Sequence, residues 1–163
     1  VCPAPPFTSE DRMMAATAPH LLIIDARFWD EIADELVAGA VEALEAAGAT
    51  CDRVSVPGVL EIPAALAMAL DAVEDGLVDY DGYVVIGCVM RGETYHFDIV
   101  ANESNRVIME LVVAESLALG NAILTVENLD QAWARAYRAE KNVGAAAANA
   151  ALTMIRVRAA LGA

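Results

Sequence analysis

Two hydrophobic patterns alternate along this chain. Short continuous apolar runs, such as LLIIDA at 21–26 and YVVIGCV at 83–89, are typical of parallel strands buried on both faces. The longer segments between such runs carry apolar residues at helical spacing, as in 30–47, which Gly48 closes. The pattern therefore predicts strands that alternate with helices.

Four strands and five helices are predicted on this basis. The strands are 21–26, 51–56, 83–89 and 122–126. The helices are 30–47, 61–73, 94–119, 130–136 and 143–161, and Gly120 closes the third of them. Such alternation indicates an α/β fold, a three-layer α/β/α sandwich around a four-stranded parallel sheet. We expect residues 20–163 to form this one domain and the proline-containing residues 1–19 to form a flexible tail.

The composition is both strongly acidic and unusually apolar. The formal net charge is −14, and apolar residues make up 58% of the chain. The charge argues against nucleic acid and anionic lipid as partners. No uncharged apolar run reaches the roughly 18 residues of a membrane span. The apolar excess is more than a small domain covers alone, so we expect several copies of the chain to associate.

The cysteines and histidines do not form a metal or disulfide pattern. Cys2, Cys51 and Cys88 share no ligand or redox spacing, and His20 and His96 are the two histidines. We therefore expect no zinc site, no disulfide framework and no bound cofactor. The same cysteine usage makes a reducing cytoplasm the expected location. Residues 1–19 also lack the basic-then-apolar order of a secretory signal.

The candidate site residues follow the predicted strands. In an open parallel sheet, ligands bind beyond the carboxyl ends of the strands. The segments found there are RFW at 27–29, PGVLE at 57–61, MRGETYH at 90–96 and EN at 127–128.

Each candidate has an ordinary structural explanation beside a functional one. The aromatic pair at 28–29 can anchor a core or interface, or provide a stacking surface for a flat ring. Residues 92–94 can simply start a helix, or use free N–H groups to hold an anion. His96 can be structural, or can exchange protons near neutral pH. Glu61 as a helix-start acid and Arg135 as a solvated cation need no ligand.

At these segments the chain closely resembles the lumazine synthase (6,7-dimethyl-8-ribityllumazine synthase) family. The motifs are Arg27-Phe28, VPGVLEIP at 56–63, GCVMRGETYHFD at 87–98 and TVENLDQAWARA at 125–136. Their order and spacing agree from about residue 21 to the end. The resemblance implies a flavodoxin-like topology and a step of riboflavin biosynthesis. In that step 5-amino-6-(D-ribitylamino)uracil condenses with 3,4-dihydroxy-2-butanone 4-phosphate, and phosphate is lost without any cofactor.

The resemblance also implies roles for particular residues. The implied substrate contacts are Phe28 on the pyrimidine ring, Val59, Leu60 and Glu61 along the ribityl chain, Cys88, Val89 and Met90 at the pyrimidine edge, and Glu93 and Thr94 at the phosphate. His96 is implied as the proton donor and acceptor. Asn121 and Arg135 are implied to come from a neighbouring subunit, with Arg135 at the phosphate. Shared sites of this kind imply a homopentamer or a larger assembly.

Three other functions are compatible with parts of the sequence. A non-catalytic flavin- or lumazine-binding module would keep Phe28 but could dispense with His96 and the phosphate donors. A phospho-acceptor signalling domain would require an acidic acceptor where Cys88 and Met90 stand. A shell-forming structural role can coexist with catalysis. The presence of His96 beside the phosphate donors favours the enzyme.

Overall fold

The computed structural model describes residues 18–162, so all of the predicted tail except Ala18 and Pro19 lies outside the described residues. The strands are β1 (His20–Ala26), β2 (Thr50–Val56), β3 (Gly82–Met90) and β4 (Leu119–Val126). The helices are α1 (Asp30–Ala46), α2 (Ile62–Glu74), α3 (His96–Ala114), α4 (Leu129–Ala136) and α5 (Val143–Leu161), and a single 3-10 turn, Val59–Glu61, precedes α2.

The strands form one parallel sheet in the order β2-β1-β3-β4. Helices α1, α4 and α5 cover one face of it, and α2 and α3 cover the other. The predicted three-layer α/β/α sandwich with a flavodoxin-like topology is therefore confirmed. The strand order reverses between β1 and β3, and this reversal creates a crevice at the carboxyl edge of the sheet.

Strand β3 is the centre of the molecule. Every residue from Gly82 to Val89 is buried, because helices cover both faces of the strand. Val84 and Ile86 pack into the core beneath α1 and α5, whereas Val85 and Val89 pack into the core beneath α2 and α3. Burial on both faces explains why this strand appears in the sequence as an unbroken apolar run.

The third helix is shorter than the predicted 94–119, and its predicted end was wrong. Helix α3 stops at Ala114, and Ser116 adopts the left-handed conformation with φ of 51°. Leu117 then turns inward and is buried before β4 begins. The apolar residues after Ser116 belong to the core and to the next strand, and only their spacing imitates a continuing helix.

Gly120 lies inside β4 and does not close a helix. A Cβ atom at this position would lie 1.8 Å from the carbonyl oxygen of Ala147 in α5. Only glycine lets the backbones of β4 and α5 approach so closely. This glycine is therefore a packing residue of the sheet.

Candidate active site

A cavity of about 360 Å³ opens at the carboxyl edge of the sheet, where β1 and β3 diverge. We call it the edge pocket. Its lining residues are Phe28, Trp29, Pro57, Gly58, Val59, Leu60, Glu61, Cys88, Val89, Met90, Gly92, Thr94, His96, Phe97 and Val100. The segments that follow β1, β2 and β3 thus meet around one space, as expected for an open parallel sheet.

The two aromatic residues after β1 have different surroundings. Phe28 is 74% exposed, whereas Trp29 is partly buried and packs against the core beneath α1. Their rings meet edge to face, with centroids 5.6 Å apart. Trp29 is therefore the anchor, and Phe28 presents an open ring face to the pocket.

An ionic network around the buried carboxylate of Asp25 fixes the end of β1, shortly before Phe28 in the chain. Asp25 is fully buried and accepts two hydrogen bonds of 2.8 Å from the guanidinium of Arg53. Ser55 donates a third at 2.9 Å and Arg27 a fourth at 3.3 Å. Burial alone raises the pKa of Asp25, but the hydrogen bonds from Arg53, Ser55 and Arg27 outweigh it and hold that pKa below the usual range. The carboxylate therefore stays charged at neutral pH.

The 3-10 turn after β2 divides its residues between core and pocket. Val59 is buried, and a Cβ atom at Gly87 of β3 would lie 2.6 Å from its Cγ2 methyl group. Gly87 thus makes room for Val59 to pack directly on the sheet. Leu60 and Glu61 remain exposed and line the mouth of the pocket.

Strand β3 supplies the floor of the pocket through its last three residues. Cys88 and Val89 are buried, and Met90 is half-buried. Burial raises the pKa of the Cys88 thiol to about 11, so the group is neutral at physiological pH. The floor is therefore uncharged and mostly apolar.

The loop after β3 leads into the N-terminus of α3 at the pocket. Gly92 and Thr94 line the cavity, and the exposed side chain of Glu93 does not. The Thr94 hydroxyl accepts a long hydrogen bond of 3.4 Å from the N–H of His96, the first residue of α3. The N–H groups of the first turn of α3 have no partner within the helix, and the positive end of the helix dipole lies at the same place.

The imidazole of His96 also lines the pocket. The first turn of α3 places Phe97 and Val100 beside it, and our sequence analysis missed both. Their helical spacing from His96 was the available signal, because residues three and four apart share a face. Between residues 18 and 162, no protein group forms a hydrogen bond with the His96 ring, so the ring can act on a ligand.

Asn121 and Arg135 lie outside the edge pocket of their own chain. In the sheet, Cys88 of the pocket floor pairs with Leu124 of β4. Asn121 precedes Leu124 by three residues, so it lies about 10 Å further back along β4. The Asn121 side chain donates a hydrogen bond of 2.8 Å to Asn105 of α3. The Arg135 guanidinium donates to the carbonyl of Gln131, and no carboxylate of the described residues pairs with it.

The described part of the chain contains neither a metal-binding cluster nor a membrane-spanning helix. No three His, Cys, Asp or Glu side chains between residues 18 and 162 are grouped so that they could hold a metal ion. None of the helices in that range is long and apolar enough to cross a membrane.

Comparison with known proteins identifies the family. The model of a family described as 6,7-dimethyl-8-ribityllumazine synthase matches residues 18–159. The chain is 63% identical over 151 residues to 6,7-dimethyl-8-ribityllumazine synthase 1 of Rhizobium meliloti (strain 1021), covering 92% of this chain and 99% of that protein. It is 61% identical over 144 residues to the Agrobacterium fabrum (strain C58 / ATCC 33970) synthase, covering 88% and 97%. The chain therefore belongs to the 6,7-dimethyl-8-ribityllumazine synthase family, whose members are enzymes of riboflavin biosynthesis.

Proposed function

We propose that the edge pocket condenses 5-amino-6-(D-ribitylamino)uracil with 3,4-dihydroxy-2-butanone 4-phosphate to form 6,7-dimethyl-8-ribityllumazine. The observation that carries this proposal is that an exposed aromatic ring, a helix N-terminus and an imidazole line one cavity. A pyrimidine needs a flat apolar surface, a sugar phosphate needs N–H donors, and a condensation needs a proton carrier. One cavity supplies all three.

The pyrimidine substrate takes the side of the pocket formed by β1 and β3. Its ring stacks on Phe28, whose exposed face is free for a flat ligand. Cys88, Val89 and Met90 form the floor that reads the edge of the ring. The ribityl chain runs along the 3-10 turn Val59–Glu61, where the Glu61 carboxylate can accept hydrogen bonds from its hydroxyl groups.

The sugar phosphate takes the side formed by the N-terminus of α3. Its phosphate binds the backbone N–H groups at Glu93 and Thr94 and the Thr94 hydroxyl. His96, two residues after Thr94, is then beside the reacting carbons and carries protons between them and the leaving groups. Glu93 contributes through its backbone, because its side chain is exposed outside the lining.

The reaction itself consists of two additions to carbonyl groups, together with proton transfers and eliminations. The 5-amino nitrogen attacks the ketone carbon, and water leaves as the imine forms. Phosphate leaves next, and the resulting enol becomes a carbonyl. The ribityl-bearing nitrogen attacks this carbonyl and a second water leaves, which closes the ring. Holding two substrates side by side supplies most of the rate gain.

The working unit is a ring of subunits, with five as the proposed number. Asn121 and Arg135 lie outside the pocket of their own chain, and we assign them to the pocket of the next subunit. Support comes from the side of β4 that faces α2 and α3, where Asn121 and Thr125 remain exposed. A cyclic head-to-tail interface brings such a surface against a neighbour's pocket. Arg135 then reaches the phosphate.

Initial rates of lumazine formation test the proposal. The two substrates are mixed with the protein in EDTA, and the product is followed by absorbance and fluorescence. We expect full activity in EDTA, and we expect Phe28→Ala to raise the KM for the pyrimidine about three- to tenfold through lost stacking. Leu77→Ala is the matched control, because Leu77 is 75% exposed but precedes β3 at the opposite edge of the sheet.

Two outcomes would contradict the proposal. One is a loss of activity in EDTA that a divalent ion restores. The other is an unchanged KM for the pyrimidine in Phe28→Ala, which would place the ring elsewhere.

A further inference from the structure

Arg91 joins three elements that meet beside the edge pocket, although it does not line the pocket itself. Its backbone N–H donates to the carbonyl of Val126 at 2.9 Å and extends the pairing of β3 with β4 by one residue. Its Nε atom lies 3.0 Å from a carboxylate oxygen of Glu127, just after β4. Its Nη1 atom lies 3.3 Å from Asp98 in the first turn of α3.

The guanidinium also lies over an aromatic residue of the pocket wall. Its central carbon is 4.1 Å from the centroid of the Phe97 ring, which is one of the lining residues. A planar cation over an aromatic face restrains the ring as well as the cation. Phe97 is adjacent to His96, so this contact also restrains the start of α3.

The segment that Arg91 closes has few other restraints. Residues 91–96 are all exposed. Within the described residues, the backbone N–H and C=O groups of loop residues 92–94 form no hydrogen bond with other backbone groups. The Arg91–Asp98 ion pair spans seven positions and ties the two ends of this segment together.

We propose that Arg91 is a positioning residue for the phosphate loop, which we define as residues 92–94. By bridging Asp98 and Glu127 and covering Phe97, Arg91 holds the loop N–H groups and His96 at the spacing that the sugar phosphate requires. It acts through these groups and does not touch the substrate. The inference rests on the proposed function of the edge pocket.

Arginine suits this role better than lysine. Its planar guanidinium can donate in two directions and still stack on an aromatic ring, whereas an ammonium is a single compact point charge. Arg91→Lys should therefore keep one ion pair and lose the bridge. Arg91→Met keeps the length of the side chain and loses every polar contact.

Steady-state kinetics of both substrates test the proposal. We expect Arg91→Met to raise the KM for the sugar phosphate about tenfold. A misplacement of about 1 Å can cost roughly a hundredfold, so this increase corresponds to a smaller shift of the loop. The KM for the pyrimidine should change little, and Arg91→Lys should be intermediate. Arg106→Met is the control, because Arg106 also forms two ion pairs, with Glu103 and Glu110, but lies on the exposed face of α3.

The carboxylate partners separate positioning from direct binding. If Arg91 acts by position, the double change Asp98→Asn and Glu127→Gln should also raise the KM for the sugar phosphate. Adding Arg91→Met to that double change should then have little further effect, since the three groups act as one unit. These isosteric changes keep the test decisive even if Arg91→Met fails to fold.

Two results would overturn the proposal. In one, wild type makes lumazine and every Arg91 variant keeps the wild-type KM for the sugar phosphate. In the other, the Asp98 and Glu127 changes lower that KM, which would make Arg91 a direct phosphate ligand. Failure of the proposed function would look different, because wild type would then make no lumazine.

Discussion

The change Asp25→Asn should destabilise the fold, because it breaks the ionic network at the end of β1. Asp25 is fully buried and accepts four hydrogen bonds, three of them from Arg53 and Ser55 at 2.8 to 2.9 Å. Removing one partner of a buried ion pair costs about 3–5 kcal/mol. Because the Arg53 side chain is 40% exposed and can recover water, we expect about 3 kcal/mol.

Thermal and urea unfolding measure this cost at equal protein concentration, since association shifts apparent stability. At roughly 2–4 °C per kcal/mol for a chain of this size, about 3 kcal/mol corresponds to a fall of about 6–12 °C in Tm. Asp34→Asn is the control. Asp34 also bonds Arg27, at 2.7 Å, but is 59% exposed, so its loss should cost no more than about 1 kcal/mol.

The pH dependence of stability tests the same prediction independently. The pKa of Asp25 is lower in the folded protein than its ordinary value of 3.8. Its stabilising contribution is therefore fully present above about pH 4 and is lost as the pH falls through the folded pKa. The gap between wild type and Asp25→Asn should be constant from neutral pH to about pH 5 and should narrow in stronger acid. A gap below about 1 kcal/mol at neutral pH, or one that widens in acid, would refute the reasoning.

The remaining predictions concern the edge pocket. His96→Ala should lower kcat about a hundredfold or less and leave substrate binding intact, since general acid–base catalysis contributes about 10²–10⁴; an unchanged kcat would make His96 structural. Arg135→Ala should raise the KM for the sugar phosphate about ten- to a hundredfold, because a charge-assisted contact is lost; an equal rise for the pyrimidine would indicate a packing defect instead. Rings mixed from a Phe28→Ala, His96→Ala double variant and an Arg135→Ala variant should regain activity at interfaces where both halves are wild type. Mixed rings that form, as shown by mass, and stay inactive would rule out shared sites.

The parallel sheet could be predicted because strands that are buried on both faces consist almost entirely of apolar residues. Strand β3 is covered on both faces and therefore appears as an apolar run. The limits of α5 were predicted correctly as 143–161, because a capping residue stands at each end of the helix. Asn142 caps the first turn by accepting from the Ala145 N–H, and Gly162 ends the helix with φ of 72°.

The end of α3 could not be predicted in the same way. Ser116 takes the left-handed conformation that usually signals itself through glycine, and the apolar residues after it continue the helical spacing. Gly120 was interpreted as the end of the helix, but in the structure it lets the backbone of Ala147 in α5 pack closely against β4. That approach depends on contacts distant in sequence, so no local pattern records it.

The pocket was predictable in outline and not in detail. Nine of the twelve predicted site residues line the edge pocket, because each ends or follows a strand at the carboxyl edge of one sheet. The contribution of Arg91 depends on the carboxylates that β4 and α3 bring within reach, and only the assembled fold shows them. The roles of Asn121 and Arg135 remain predictions, since they depend on a second subunit.

A crystal structure of the protein with bound 6,7-dimethyl-8-ribityllumazine would test the central claim most directly. We predict that the lumazine ring lies on Phe28, that the ribityl chain follows Val59–Glu61, and that Asn121 and Arg135 of a neighbouring subunit close the cavity. Product bound at another surface while the edge pocket stays empty would contradict the account.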